Sequence, residues 1–301
     1  MDSIMQVGVI GLGSMGMGVA LSLLRAGHAV FGCDLREPAR AELEAAGGTA
    51  VARPALLPAD LGAVVLLVVN AAQAEEVLFS AEGCAPHLKP GAVVISSVTM
   101  APEAARALAA RLDGSGFLSL DAPISGGSAR AREGALSVMA SGSPAAFAAA
   151  EPVLAAIAQK VWRLGETAGV GSTVKMVNQL LAGVHIAAAA EALALGIRAG
   201  ADPETLFEVI SASAGSSWMW QNRVPHILAG DDTPHSAVNI FVKDLGIVLD
   251  QARALTFPLP LAAAAHQLFL AASASGHGGR DDAFVIRVWQ ALTGIALPHG
   301  G

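Results

Sequence analysis

A lysine and an amide stand three residues apart in the segment Gly169-Val-Gly171-Ser-Thr-Val-Lys175-Met-Val-Asn178. On a helix that spacing puts both side chains on one face. Such a pair suits the oxidation of an alcohol, where a base takes the hydroxyl proton as hydride leaves the carbon. A lysine serves as that base when desolvation or a nearby cation lowers its pKa from ~10.4 toward the working pH. Protonated, the same group donates to the carbonyl oxygen in the reverse direction. Asn178 can hold a substrate oxygen or orient the lysine. Taken alone, Lys175 reads as a snorkelling surface lysine; two other motifs change its meaning.

The first is Val7-Gly-Val-Ile-Gly11-Leu12-Gly13-Ser14-Met15-Gly16. It follows a candidate strand and opens a candidate helix, the context a dinucleotide fingerprint requires. Gly11 permits the tight turn, Gly13 lets the backbone approach a pyrophosphate, and Gly16 lets helix and strand pack closely. The pyrophosphate is expected over Leu12, Ser14 and Met15, on the helix N-terminus. Asp34 falls 18 residues after Gly16 at the end of the second candidate strand. A carboxylate there accepts the ribose 2′-hydroxyl and repels a 2′-phosphate, so NAD is the expected cofactor. Arg36, two residues on, could hold a phosphate, which keeps NADP open. Val69 and Asn70, at the end of the third major strand, are further cofactor-binding candidates.

The second motif is Asp121-Ala-Pro123-Ile-Ser125-Gly126-Gly127. Two glycines allow consecutive N–H groups to turn toward one point, an anion nest, and Ser125 adds a hydroxyl donor. That suits a substrate carboxylate; a simple tight turn is the alternative. Asp121 reads as a turn-capping residue rather than a catalytic one. His185 stands to one side of the lysine's face, Trp218 and Trp220 read as aromatic packing, and Asp231, Asp232 and His235 as a polar loop. No ligand-spaced cluster suggests a metal.

The elements that position these residues fall into two groups. Up to Gly165, short apolar runs (Val7–Ile10, Val30–Cys33, Ala63–Val69, Ala92–Ser96, Phe117–Leu120, Leu136–Ser141) alternate with helical patterns. That alternation predicts an α/β domain over residues 1–165 with a mostly parallel sheet covered on both faces. After Gly165 only helical patterns follow, beginning with one over Ser172–Gly200. Residues 166–301 are therefore expected to form an all-α domain for substrate binding and oligomerisation, entered through one long helix.

Composition narrows the function classes. The 301 residues carry a formal net charge of -7 and no basic run, which argues against nucleic acid as a partner. Hydrophobic residues make up 53% and the mean hydropathy is +0.55, which raises the question of a membrane. The Leu180–Leu195 stretch is Ala-rich and holds His185 and Glu191, so no spanning helix is expected. Met1–Gln6 shows no basic segment or cleavage site, and Cys33 and Cys84 have no framework spacing; both suit a reducing cytoplasm. Apolar, Ala-rich helices point to a homo-oligomer, a dimer or tetramer.

These motifs, in this order, resemble the β-hydroxyacid dehydrogenase family, and the resemblance covers essentially the whole length. It implies a Rossmann domain followed by a helical domain. It implies that Lys175 is the catalytic acid/base and that Ser125, Gly126 and Gly127 bind a hydroxy-acid substrate. It further implies that Thr99, and Lys243 of the segment Lys243-Asp244-Leu245, contact the cofactor near the nicotinamide. Asn178 fits the amide position three after the lysine. Gln179 stands where many members carry a second asparagine, so it enters as a substrate-binding candidate whose contacts differ. Imine reductases share this architecture but usually lack the lysine. Non-catalytic relatives have lost it and often carry fused reader domains.

Overall fold

The structure is a computed structural model that describes residues 4–298; Met1–Ser3, the start of the segment read for targeting, lie outside them. The chain divides into two compact units, residues 1–175 and 176–301.

The first unit holds nine strands: β1 (Gln6–Ile10), β2 (Ala29–Cys33), β3 (Thr49–Val51), β4 (Ala63–Leu66), β5 (Val93–Ser96), β6 (Leu118–Asp121), β7 (Ile124–Ser125), β8 (Leu136–Gly142) and β9 (Ala158–Gly165). Between them run α1 (Ser14–Arg25), α2 (Glu37–Ala45), α3 (Ala71–Phe79), α4 (Pro102–Gly114), α5 (Gly127–Glu133) and α6 (Pro144–Ile157). The sheet order is β3-β2-β1-β4-β5-β6-β8-β7, with β9 beside β8. The first six strands pair in parallel, and β8 runs antiparallel to β6 and β7. Reversal of strand order between β1 and β4 is the switch point of a doubly wound nucleotide-binding sheet. The central strands are apolar on both faces because helices cover both: Val7, Val9, Val64, Val65, Val93 and Ile95 are fully enclosed. Cys33 and Cys84 are free and buried, and burial pushes their thiols up to about 11 and about 12, which leaves them inert.

Three short elements escape the sequence pattern: β3, β7 and α5, at three, two and seven residues, are too brief to show a period. The apolar run from Ala63 ends as a strand at Leu66, not Val69. Beyond it the Asn70 side chain accepts from Gln73 N–H at 2.9 Å and the Val69 N–H donates to Gln73 Oε1 at 2.8 Å. Helix capping has taken over from strand pairing.

A long helix, α7 (Val170–Arg198), crosses the boundary between the units. The second unit continues with α8 (Pro203–Ser211), α9 (Trp218–Ala229), α10 (Val238–Ala254), α11 (Pro260–Ala272) and α12 (Arg287–Thr293). Its core gathers Ile186 and Leu193 of α7 with Val224, Phe241, Leu245, Phe269 and Phe284. The expectation that no segment is long and apolar enough to span a membrane needs correction. By length and composition α7 is, with a mean hydropathy of 1.9 over 18 residues. The physical reason is packing: Ala182, Ala187, Ala189, Ala190 and Ala194 join Ile186 and Leu193 in this core. The loop before α12 is tied down by charge. Arg223 Nε and Nη2 fork the fully buried Asp282 at 2.5 and 3.1 Å, and the His226 ring meets Asp281 at 3.1 Å. Among the described residues, no group of three or more His, Cys, Asp or Glu could hold a metal ion.

Candidate active site

The glycine loop joins β1 to α1. Gly11 has φ +94°, and a Cβ there would sit 2.7 Å from the Leu67 carbonyl oxygen. A Cβ on Gly16 would fall 1.7 Å from the Gly11 oxygen. Gly13 has nothing within 4 Å of its Cβ position, so this side of the loop is open to a ligand. No side chain caps α1, whose first turn is Ser14, Met15 and Gly16. Helix geometry leaves the N–H groups of that turn without intrahelical partners, a site that suits a pyrophosphate. The Leu12 N–H turns back and donates to Asp34 Oδ2 at 2.8 Å. Burial raises the Asp34 carboxyl, but the Arg36 guanidinium and the N–H groups of Arg36 and Leu12 outweigh it and hold the group below the usual carboxylate range. Asp34 is therefore an anion at neutral pH. These residues fit a nicotinamide dinucleotide.

Asp34, Val69, Asn70 and Thr99 follow the carboxyl ends of β2, β4 and β5, as the glycine loop follows β1. That edge is where open α/β sheets bind ligands. Val69 is exposed, while Asn70 and Thr99 are half-buried. Farther along the same edge, Ser125 ends β7 and is half-buried, followed by Gly126 (φ +142°) and Gly127 (φ +76°). Gly127 is exposed, and its Cβ position is open.

Asp121, at the end of β6, does more than cap its own turn. It lies 4% exposed and grips the start of α7. Its Oδ2 accepts from the N–H groups of Gly169 and Ser172 at 2.8 and 2.9 Å, and its Oδ1 from the Ser172 hydroxyl at 2.7 Å. Ser141, paired with Asp121 across β6 and β8, accepts from Gly171 N–H at 2.9 Å and donates to Asp121 at 3.3 Å. Gly171 is required by the close approach: a Cβ there would meet the Met139 oxygen at 2.3 Å. The orphan donors of a helix N-terminus, and its positive dipole end, are thus met by one buried carboxylate and one serine. Lys175 follows Ser172 by one turn and is buried, 8% exposed. The motif reading missed this clamp because Asp121 and its partners lie 48 to 51 residues apart.

In the second unit, Asn178 is half-buried and donates from Nδ2 to Gln179 Oε1 at 3.0 Å. Gln179 is buried, and its Nε2 donates to Asp244 Oδ2 at 2.5 Å. The Gln179 amide is thus engaged at both ends, one orienting Asn178 and the other holding Asp244. Lys243 Nζ lies 2.7 Å from Asp244 Oδ1, an ion pair to a carboxylate 2% exposed overall. Asp244 is a buried anchor that the motif reading quoted without a role. Trp220 is buried, stacks on Phe207 and donates to the Ser211 hydroxyl at 3.2 Å, whereas Trp218 is exposed.

Comparison with known proteins identifies the family. Residues 6–165 match the family described as the NAD binding domain of 6-phosphogluconate dehydrogenase. Residues 169–289 match the family described as NAD-binding of NADP-dependent 3-hydroxyisobutyrate dehydrogenase. The chain is 59% identical to L-threonate dehydrogenase of Cupriavidus necator over 292 residues, covering 97% of each chain. It is 31% identical to human mitochondrial 3-hydroxyisobutyrate dehydrogenase over 282 residues, 91% of this chain and 84% of that one. A crystal structure of a 3-hydroxyisobutyrate dehydrogenase from Salmonella typhimurium superposes with a TM-score of 0.90 at 51% identity, covering 94% of this chain and 99% of that chain. With the glycine loop, the acidic residue after β2 and the lysine at the head of α7 in place, this chain belongs to the β-hydroxyacid dehydrogenase family, whose members are oxidoreductases that use a nicotinamide dinucleotide.

Proposed function

We propose that this protein oxidises L-threonate at C2 to 2-oxo-tetronate (2-dehydro-L-erythronate) with NAD as acceptor. The observation that carries the reading is Lys175, a buried lysine one turn into a helix whose start is clamped to the sheet. When bound, the nicotinamide accepts hydride from the carbon; the chain does the rest. Ser125 and the N–H groups around Gly126 and Gly127 hold the substrate carboxylate. Lys175 Nζ takes the proton of the reacting hydroxyl and returns it in the reverse direction. Asn178 orients a substrate oxygen, and Gln179 fixes Asn178 and adds hydrogen-bonding capacity for a polyhydroxy acid. Gly11 through Gly16 carry the pyrophosphate and Asp34 the ribose, with Val69, Asn70, Thr99 and Lys243 as further cofactor contacts. Residues 1–165 form the dinucleotide-binding domain and residues 166–301 the substrate and assembly domain, with Ser125–Gly127 and Lys243 each serving the other domain's ligand.

The name of the Cupriavidus necator relative supports L-threonate. The Salmonella typhimurium structure, at 51% identity, carries a different name and supports 3-hydroxyisobutyrate as the second reading. The test is kcat/KM with NAD, read by NADH absorbance, across L-threonate, D-threonate, D-erythronate, D-glycerate and 3-hydroxyisobutyrate. L-threonate is expected to lead. A site built to pair extra hydroxyls rejects an analogue that lacks them, because its buried polar groups go unpaired. A lead by 3-hydroxyisobutyrate or D-glycerate sinks the threonate assignment and leaves the family intact.

The reading extends to a homo-oligomer working in the cytoplasm. Val174, Val177, Leu181 and Leu195 are exposed at helical spacing along α7, and Leu255, Phe257, Leu261 and Leu292 are exposed elsewhere in the second unit. Such apolar surface favours burial against another copy. Light scattering is expected to give a mass at least twice the 30.2 kDa chain; a monomer at micromolar concentration would contradict this.

A further inference from the structure

The turn that should hold the substrate carboxylate carries donors but no charge. Ser125 ends β7, and Gly126 and Gly127 follow with φ +142° and +76°. Their N–H groups and the serine hydroxyl are neutral. Lys175 must be neutral too at the moment it takes a proton. A carboxylate that leaves water for such a turn gives up hydration that neutral donors replace only in part, whereas hydrogen bonds from a cation are about twice as strong.

An unused cation stands on the next element. Arg130 lies on α5, one helical turn after Gly126. A Cβ on Gly126 would stand 3.0 Å from Arg130 Cβ and 3.1 Å from its Cδ. The arginine stem therefore runs back across the glycine toward the start of the helix, the direction in which helical side chains lean. The guanidinium begins one bond beyond that Cδ. It is exposed, and among the described residues it has no hydrogen-bond or ion-pair partner. Glu133, three residues on and also exposed, does not pair with it. Other arginines of the first unit are engaged: Arg53, Arg106, Arg111, Arg132 and Arg163 each meet a glutamate. In a chain of net charge -7, a free guanidinium folded over this turn is a local positive site.

We infer that Arg130 is a substrate-binding residue, the counter-ion of the carboxylate held at Ser125–Gly127. Its planar fork of donors matches a carboxylate, and no ion pair has to break before it engages one. The bare Cα of Gly126 is what admits the stem, so the glycine serves the arginine as well as the turn. The inference rests on the proposed hydroxy-acid reading of that turn, and not on which hydroxy acid leads.

The experiment measures kcat and KM with NAD for whichever acid leads the wild-type panel, on the full-length wild type, Arg130→Gln and Arg130→Lys, at low and high ionic strength. Arg130→Gln is expected to raise KM for the acid at least about tenfold, the loss expected of a charge-assisted hydrogen bond. Its kcat should stay within about threefold, because a contact made equally before and during the reaction is lost in KM. Arg130→Lys keeps the charge without the fork, so its KM should fall between the two. Rising ionic strength is expected to raise the wild-type KM more than that of Arg130→Gln. The urea midpoint and NADH affinity should not move, since the side chain has no partner within the chain to lose. A KM unchanged in Arg130→Gln, or a loss confined to kcat or to NADH affinity, overturns the role of Arg130 and leaves the hydroxy-acid reading standing. If the wild type oxidises no hydroxy acid, that reading itself fails, and the inference with it.

Discussion

Lys175→Met is expected to lower kcat by at least ~10²-fold, the range for loss of a positioned acid/base. Methionine is unbranched like lysine, one heavy atom shorter, and suits a position 8% exposed, so the helix should fold around it. The dinucleotide loop lies at the other end of the first unit's sequence, between β1 and α1. NADH affinity should therefore change by less than about threefold, a shift under 1 kcal/mol. The loss should appear in kcat rather than KM, because the proton moves only in the reacting state. Stopped-flow turnover and an NADH titration on the same folded variant check both parts. Turnover near that of wild type would remove Lys175 from the chemistry.

Asp121→Ala is expected to be the most destabilising single change at the site. It strips four donors, the N–H groups of Gly169 and Ser172 and the hydroxyls of Ser172 and Ser141, of an acceptor in a buried setting. Each orphaned buried group costs about 1–3 kcal/mol, so the variant should lose about 3–5 kcal/mol in urea unfolding. Asp121→Asn keeps an oxygen for the two backbone donors and turns its amide toward Ser172, which can accept. It should lose less than the alanine variant, the remainder reflecting the missing charge at a helix N-terminus. If Asp121 positions Lys175, the asparagine variant should also recover most of the kcat lost in alanine, measured where both are folded. Equal stability of Asp121→Ala and wild type would mean that α7 is held some other way.

Much of this architecture is legible in the sequence because its signals are local. Apolar strands followed by helical patterns reveal the α/β half, and the glycine triplet with Asp34 marks the dinucleotide edge. The helical second half follows from uninterrupted 3.6-residue patterns, with α7 starting two residues before the expected Ser172. What escapes is long-range or very short. Asp121 finds its partners 48 to 51 residues away, and Gln179 finds Asp244 65 residues away; no periodicity encodes either pair. Gln179 reads from the motif as a substrate contact, and its bonds to Asn178 and Asp244 come only from the fold. Arg36 reads as a cation that could hold a phosphate, and side-chain geometry lays it on Asp34.

The most direct test of the proposed chemistry uses L-threonate labelled with deuterium at C2 or at C3, with NAD and the wild-type enzyme, and the oxidised acid analysed by mass spectrometry at early times. Oxidation at C2 predicts that the product from the C2-labelled acid has lost its deuterium, with a primary isotope effect on kcat/KM when chemistry limits that step. It predicts that the C3 label is retained. Loss of the C3 label with retention at C2, or no oxidised acid at all, would contradict the account.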